Sequence, residues 1–127
     1  PIRVVNEKGL VREIEMTGGS YDIDFADDGS WFVVTVVMFD RDLNRRFPGE
    51  GYTVDLVMCD ENGNILWRVE RIAQGLGRRG RVKIDDNKII VMTLGDEFYK
   101  LVFNKEGKLL SEEQGTLEQY RGFKDED

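Results

Sequence analysis

The chain has 127 residues, 25 of them acidic and 18 basic, and carries a net charge of −7. This length suits one domain that buries roughly two-thirds of its unfolded surface. The acidic balance disfavours a nucleic-acid partner, because phosphate binding normally requires a basic excess. The sequence contains no histidine, so it lacks the commonest metal ligand and the commonest general base near neutral pH.

The single cysteine, Cys59, bears on the compartment. A lone thiol is typical of a reducing environment, so we expect a cytoplasmic protein. The longest apolar run, Trp31–Phe39, is far too short to span a membrane. No charged and then apolar leader opens the sequence, which predicts that there is no signal peptide.

Short β-prone segments, separated by turns rich in Gly, Asp and Asn, follow one another along the chain. Tyr21, Ile23 and Phe25 alternate with aspartates, which indicates a strand with one wet face. Residues 31–39 are almost continuously apolar, which predicts a central strand buried on both faces. We predict strands at residues 2–5, 10–16, 21–25, 31–39, 52–59, 65–70, 82–85, 89–94 and 98–103 and from residue 109 onward.

No long segment keeps a helical period, so the predicted fold class is all-β. We expect an up-and-down antiparallel meander of about ten strands in one domain at residues 1–114. Residues 40–51 and 73–80 are predicted to be irregular loops. Residues 115–127 are predicted to be a polar, acidic tail with a weakly held strand or helical turn around Leu117–Tyr120, followed by disorder.

One pattern occurs three times: a β-prone run, then Asn or Asp, two residues and Gly, then another β-prone run. The three glycines are at positions 9, 63 and 107, so the last two are 44 residues apart. This spacing is inside the range of four-stranded propeller blades. Evenly spaced turns of this kind also occur in any β-meander, so the pattern leaves open whether the chain is internally duplicated.

The motif Asp60-x-x-Gly63-x-x-x-Trp67 resembles the blade repeats of propellers of the quinoprotein type, in which an acidic turn with Gly precedes a strand bearing a docking Trp. The resemblance covers about 70 to 110 residues and implies blade-like sheet geometry. Glu13 and Ser111 occupy the corresponding positions of the other two segments and depart from the motif. No cofactor or catalysis is implied, because two and a half blades cannot enclose a central cofactor site.

The open edges of such a meander need to be covered. The sequence leaves three solutions open: a propeller that is incomplete or completed by further copies of the chain, a closed β-barrel, and a sandwich of two stacked sheets.

Both predicted long loops lie at the same end of an up-and-down meander, and enlarged loops are where function usually resides. Arginines there can bind carboxylate or phosphate, and glycines allow a close backbone approach. The alternative is a solvated loop whose arginines pair with acidic neighbours. The predicted ligand- or partner-binding residues are Gly75, Gly77, Arg78, Arg79 and Arg81, with Arg45, Arg46 and Phe47 on the other loop.

The leading functional hypothesis is a non-enzymatic module that binds a partner protein or self-associates through this end. The alternative is a β-barrel that binds a small anionic ligand near Arg78, Arg79 and Arg81. Neither a catalytic constellation nor a metal site is predicted. Asp22, Asp24, Asp27 and Asp28 lack the ordered ligand series of a calcium loop, and Cys59 is expected to be a buried structural thiol.

Overall fold

The computed structural model describes residues 2–5, 11–14, 21–39, 41–48, 51–74, 79–94 and 98–123. Within them the chain forms ten strands and two short helices. The strands are β1 (Ile2–Val5), β2 (Val11–Ile14), β3 (Tyr21–Phe25), β4 (Trp31–Phe39), β5 (Tyr52–Asp60), β6 (Ile65–Gln74), β7 (Arg79–Asp85), β8 (Lys88–Leu94), β9 (Phe98–Phe103) and β10 (Leu109–Gln114), and the helices are α1 (Arg41–Arg46) and α2 (Leu117–Arg121).

The strands form a two-stranded hairpin and two four-stranded antiparallel sheets. β1 pairs with β2, the first sheet has the order β3-β4-β5-β6, and the second sheet has the order β7-β8-β9-β10. The all-β class and the antiparallel, up-and-down pairing within each sheet are therefore confirmed. The ten strands do not form one continuous meander, because in the described residues β2 does not pair with β3 and β6 does not pair with β7. Neither four-stranded sheet closes on itself within the described residues, so the closed-barrel alternative is wrong.

The two four-stranded sheets pack against each other through one shared core. Trp31, Val33, Leu56 and Met58 of the first sheet cluster with five residues of the second, namely Val82, Ile89, Val91, Leu101 and Phe103. The opposite face of the first sheet buries a second cluster built on Phe32, Val34, Val36, Val57 and Cys59. β4 is therefore buried on both faces, as its continuous apolar run predicts.

Two aspartates of β3 cover the edge of β7 that no described strand pairs with. The N–H of Val82 donates to Asp22 Oδ2 at 2.8 Å, and the N–H of Ile84 donates to Asp24 Oδ2 at 2.6 Å. Backbone donors that are withdrawn from water need such acceptors. The polar alternation of β3 thus serves to join the two sheets, since each aspartate replaces a strand partner.

The third hairpins of the two sheets, β5–β6 and β9–β10, have the same local geometry. Gly63 and Gly107 have φ values of 85° and 84°, a conformation that favours glycine. Asp60 and Asn104 each accept, through Oδ1, the N–H groups two and four residues further on. Both pairings also skip one residue in the fourth strand, which is Leu66 in β6 and Leu110 in β10.

Trp67 connects the first sheet to this turn of the second sheet. Its indole Nε1 donates to the Lys105 carbonyl at 2.8 Å. The ring lies so close to Gly107 that an added Cβ would be 2.9 Å from Trp67 Cδ2. Glycine is therefore needed at position 107 both for its positive φ and for the close approach of the indole.

Two segments differ from their predicted loops. Residues 41–46 form α1, whereas the sequence predicted an irregular loop, because a six-residue helix with one buried side chain, Leu43, is too short to show a helical period. The predicted loop at 73–80 is also shorter, because β6 continues to Gln74 and β7 begins at Arg79. Arg79 and Arg81 therefore lie in a strand.

The residues after β10 pack against the second sheet. Thr116 starts α2 with a capping box, in which its hydroxyl accepts from the Gln119 N–H and the Gln119 side chain accepts from the Thr116 N–H. The Phe98 and Tyr120 rings are 5.8 Å apart, and Phe123 is 7% exposed. Helix α2 thus covers the face of the second sheet that carries Arg81 and Lys83.

Candidate binding surface at the α1 end

The two ends of the sheets differ in what they present. One end, the turn end, carries the short turns at residues 27–30, 60–64, 86–87 and 104–108. Two of its carboxylates are held by local hydrogen bonds, which lower the pKa of Asp28 through Ser30 and that of Asp60 through Asn64. The opposite end, the α1 end, carries α1 between β4 and β5.

Helix α1 has the charge order that favours a helix, with Asp42 in its first turn and Arg45 and Arg46 in its last. Leu43 is its buried contact, and the Phe47 N–H donates to the Leu43 carbonyl at 2.8 Å. Arg45 and Arg46 are both exposed. Neither forms an ion pair with any residue in the described part of the chain.

Three exposed aromatic side chains lie at the same end of the sheets as these arginines. Phe39 and Tyr52 face each other across β4 and β5, with ring centroids 5.1 Å apart. They are 53% and 48% exposed, and Phe47 is 52% exposed. We define the α1 surface as Phe39, Phe47, Tyr52, Arg45 and Arg46. Aromatic residues and arginine are the residue types enriched at protein interfaces.

Gly51 explains why the Phe39 ring can lie against the chain that returns from α1. A Cβ at this position would lie 2.6 Å from Phe39 Cε2 and 2.7 Å from Asn44 Cβ. The missing side chain thus lets β5 begin beside the ring. The sequence indicated Phe47 but not Phe39 or Tyr52, because their positions at facing strand ends become apparent only from the β4–β5 register.

The structure describes only part of the predicted Gly/Arg site. Gly75, Gly77 and Arg78 lie outside the described residues, and of Arg79 only the backbone is described, within β7. Arg81 is half-buried and donates through Nη1 to the carbonyls of Tyr120 and Arg121, at 2.8 and 3.1 Å. Its guanidinium also lies 5.7 Å from the centre of the Tyr120 ring. Arg81 therefore binds the C-terminal end of α2.

A groove of about 330 Å³ adjoins the α1 surface. It lies between the first turn of α1 and the strands β4, β5 and β6. Asp55, 4% exposed, closes its base and accepts from Arg68 Nε and Nη2 at 2.9 and 2.5 Å and from the Arg71 N–H at 3.0 Å. Both carboxylate oxygens therefore have partners, as a buried charge requires.

An irregularity in β6 shapes one wall of this groove. Val69 pairs with Leu56 and Ala73 with Val54, so four steps along β6 match two along β5. Within this bulge Arg71 has a φ of 57°, which is uncommon for a residue with a side chain. Asp55 stabilises the bulge by accepting the Arg71 N–H. Such outliers are concentrated at functional positions.

The Cys59 thiol and the aspartates around β3 are the side chains that the sequence singles out for nucleophilic or metal chemistry. Cys59 is buried. Burial, together with the neighbouring Asp60 carboxylate, raises the pKa of its thiol to about 11. Asp22 and Asp24 are engaged by β7. Among the residues that the structure describes, no group of three His, Cys, Asp or Glu side chains is placed to hold a metal ion.

Comparisons with known protein families, with curated proteins and with solved structures give no match to this chain. In the described parts of the chain, no helix is both long and apolar enough to cross a membrane.

Proposed function

We propose that this chain is a non-enzymatic protein-interaction module whose two four-stranded sheets are propeller-type blades and whose α1 surface binds an acidic segment of a partner protein. The observation that carries the proposal is that three exposed aromatic side chains, two of them in ring contact, lie at the same end of the sheets as the two exposed arginines of α1. Exposed aromatic rings contribute apolar contact area at an interface, and arginines select carboxylates. A cytoplasmic location is part of the proposal, which the free thiol of Cys59 supports.

The propeller part of the proposal is supported by how the two sheets meet. Trp67 lies in the fourth strand of the first sheet and contacts the turn before the fourth strand of the second sheet. The two turns have matching glycine φ values and matching skipped residues. A contact from one unit to the equivalent turn of the next is what a chain of repeated blades requires.

Completion of a ring by copies of the chain is the less favoured version. Helix α2 covers the face of the second sheet onto which a further blade would stack. Arg81 donates to the last carbonyls of α2, and Lys83 donates to the carbonyl of Phe123, two residues beyond the helix. A ring that uses this face would have to displace α2. We therefore favour a partner bound at the α1 surface.

Peptide arrays test this proposal. Arrayed peptides with acidic residues around an aromatic one should retain more wild-type protein than basic or neutral peptides do. In the double variant R45E/R46E the affinity for these peptides should fall by about tenfold or more, since an arginine at the centre of an interface often contributes about 2 kcal/mol to binding. Tyr52→Ser should weaken retention without any change in charge.

The matched control is the double variant K88E/K108E, which makes the same charge change at the turn end, where both lysines are exposed. It should retain the acidic peptides at nearly the wild-type level. Equal losses in the two double variants would mean that binding follows net charge, and would contradict a site on the α1 surface. Sedimentation of wild-type protein over a wide concentration range then shows whether a second copy is itself a partner.

A further inference from the structure

The groove beside α1 contains a buried hydroxyl group, that of Thr53, with no hydrogen-bond partner among the described residues. Thr53 is 3% exposed and lines the groove next to Asp55. Its side chain forms no hydrogen bond with any residue in the described ranges. Most buried polar groups have a partner, and a bound molecule or water supplies it where the protein does not.

The charges around the groove come in equal numbers. Arg41, Arg68 and Arg71 line it together with Asp42, Asp55 and Glu70. Asp55 is paired with Arg68, and Asp42 and Arg71 have interactions of their own. Arg41 and Glu70 form no ion pair within the part of the chain that the structure describes. One guanidinium and one carboxylate are thus available to a ligand.

This balance restricts the ligand. A simple anion would be attracted by Arg41 but repelled by the carboxylate of Glu70. A simple cation would be attracted by Glu70 but repelled by Arg41. A molecule that carries both an ammonium and a carboxylate can pair with each. Met38 and Phe39 supply an apolar wall, and the volume of about 330 Å³ is at the lower end of the range for small-molecule sites.

We propose that this groove binds a small zwitterion of the amino-acid class. Arg41 binds the carboxylate of the ligand, and Glu70 binds its ammonium group. The Thr53 hydroxyl, at the base of the groove, donates to the same ligand carboxylate. An apolar ligand side chain packs on Met38 and Phe39. This site goes beyond the proposed function, since neither Arg41 nor Glu70 belongs to the α1 surface.

Calorimetric titration with the twenty common amino acids tests the proposal, and leucine with two analogues separates the charges. Leucine should bind more tightly than isocaproate, which lacks the ammonium group, and more tightly than isoamylamine, which lacks the carboxylate. Arg41→Gln and Glu70→Gln should each weaken the tightest amino acid by about tenfold, because each removes one charge-assisted hydrogen bond. Both residues are exposed, so the variants should fold normally.

Lys88→Gln is the control for a lost charge far from the groove, and it should bind like wild-type protein. The proposal is overturned if no amino acid binds, if isocaproate binds as tightly as leucine, or if both groove variants keep wild-type affinity. Dipeptides form a separate arm: tighter binding of leucyl-glycine than of leucine would overturn the assignment to single amino acids, because the two ends of a short peptide would then be the preferred source of the two charges. Loss of peptide-array binding in R45E/R46E leaves this titration unaffected, so the two proposals fail separately.

Discussion

The hairpins β5–β6 and β9–β10 have the same turn geometry and different roles. Each has an Asp or Asn that accepts two backbone N–H groups, a left-handed glycine, and one skipped residue in the fourth strand next to the turn. β6, however, carries Trp67, which contacts the second sheet, whereas β10 carries Ser111 at the corresponding position, exposed to solvent. Local turn chemistry therefore sets the shape of a hairpin, and one side chain decides whether it joins two sheets.

The two sheets also differ in how their outer faces are covered. The first sheet buries Phe32, Val34 and Val36 on the face away from the shared core. The second sheet is covered there by α2 and the residues that follow it, which accept hydrogen bonds from Arg81 and Lys83 of β7. All six residues of β10 are exposed. Similar strand order thus does not imply similar surroundings.

The largest expected effect is that of Trp67→Ala. The substitution removes a half-buried indole and its hydrogen bond to Lys105, so the free energy of unfolding should fall by about 3 kcal/mol. Ser111→Ala, the matched change in β10, should alter it by no more than about 0.5 kcal/mol. Urea denaturation measures both, and equal effects would remove the distinction between the two hairpins.

Gly107→Ala tests the same contact between the two sheets, by changing the residue against which the Trp67 indole lies. The new Cβ would be 2.9 Å from the Trp67 ring at a φ of 84°, so we expect a loss of about 2 kcal/mol or more. Gly29→Ala is the control, because Gly29 has a φ of 73° and open space around it. It should show the conformational cost alone, about 1 kcal/mol. A larger loss at Gly29 than at Gly107 would contradict the docking contact.

Asp24→Ala should separate the sheets at the edge of β7. The Ile84 N–H would lose its acceptor at 2.6 Å, and an unsatisfied backbone donor costs about 1 to 2 kcal/mol. The decrease in the free energy of unfolding should be accompanied by faster exchange of the Ile84 amide hydrogen. Asp27→Ala, in the exposed turn that follows β3, should leave both quantities nearly unchanged.

The smallest effect concerns acid sensitivity. Hydrogen bonds from the Asn64 side chain and from the N–H groups of Asn64 and Asn62 lower the pKa of Asp60 below 3.8. Its stabilising contribution is therefore present above pH 3.8 and is lost as the pH falls through the lower pKa of the folded state.

Asp60→Asn should keep the turn, since Asn104 accepts the same two N–H groups in β9–β10. The thermal midpoint at neutral pH should change little, and its decline in acid should become shallower than that of wild-type protein. An unchanged acid decline would show that other carboxylates are responsible. Asp28, whose pKa is also lowered, is then the next position to replace.

Some of the predicted binding residues lie where the strand order places them, and others have partners that the sequence does not indicate. Arg45, Arg46 and Phe47 are exposed at the α1 end, where the parity of an up-and-down meander predicted them. Arg81, which the sequence also predicts to bind a ligand or partner, donates to carbonyls at the end of α2. Its partners are 39 and 40 residues away, and no local pattern indicates a contact over that distance.

The sequence by itself determined the strands, their up-and-down order and the turns, because these depend on interactions within a few residues: alternation of apolar side chains, left-handed glycines, and Asp or Asn oxygens that accept nearby N–H groups. The tertiary structure alone decided where the meander divides into sheets and what Trp67, Asp22 and Asp24 do. Their partners are 38 or 60 residues distant. Such contacts depend on how two finished sheets pack, and this packing depends on their combined shape rather than on any single segment.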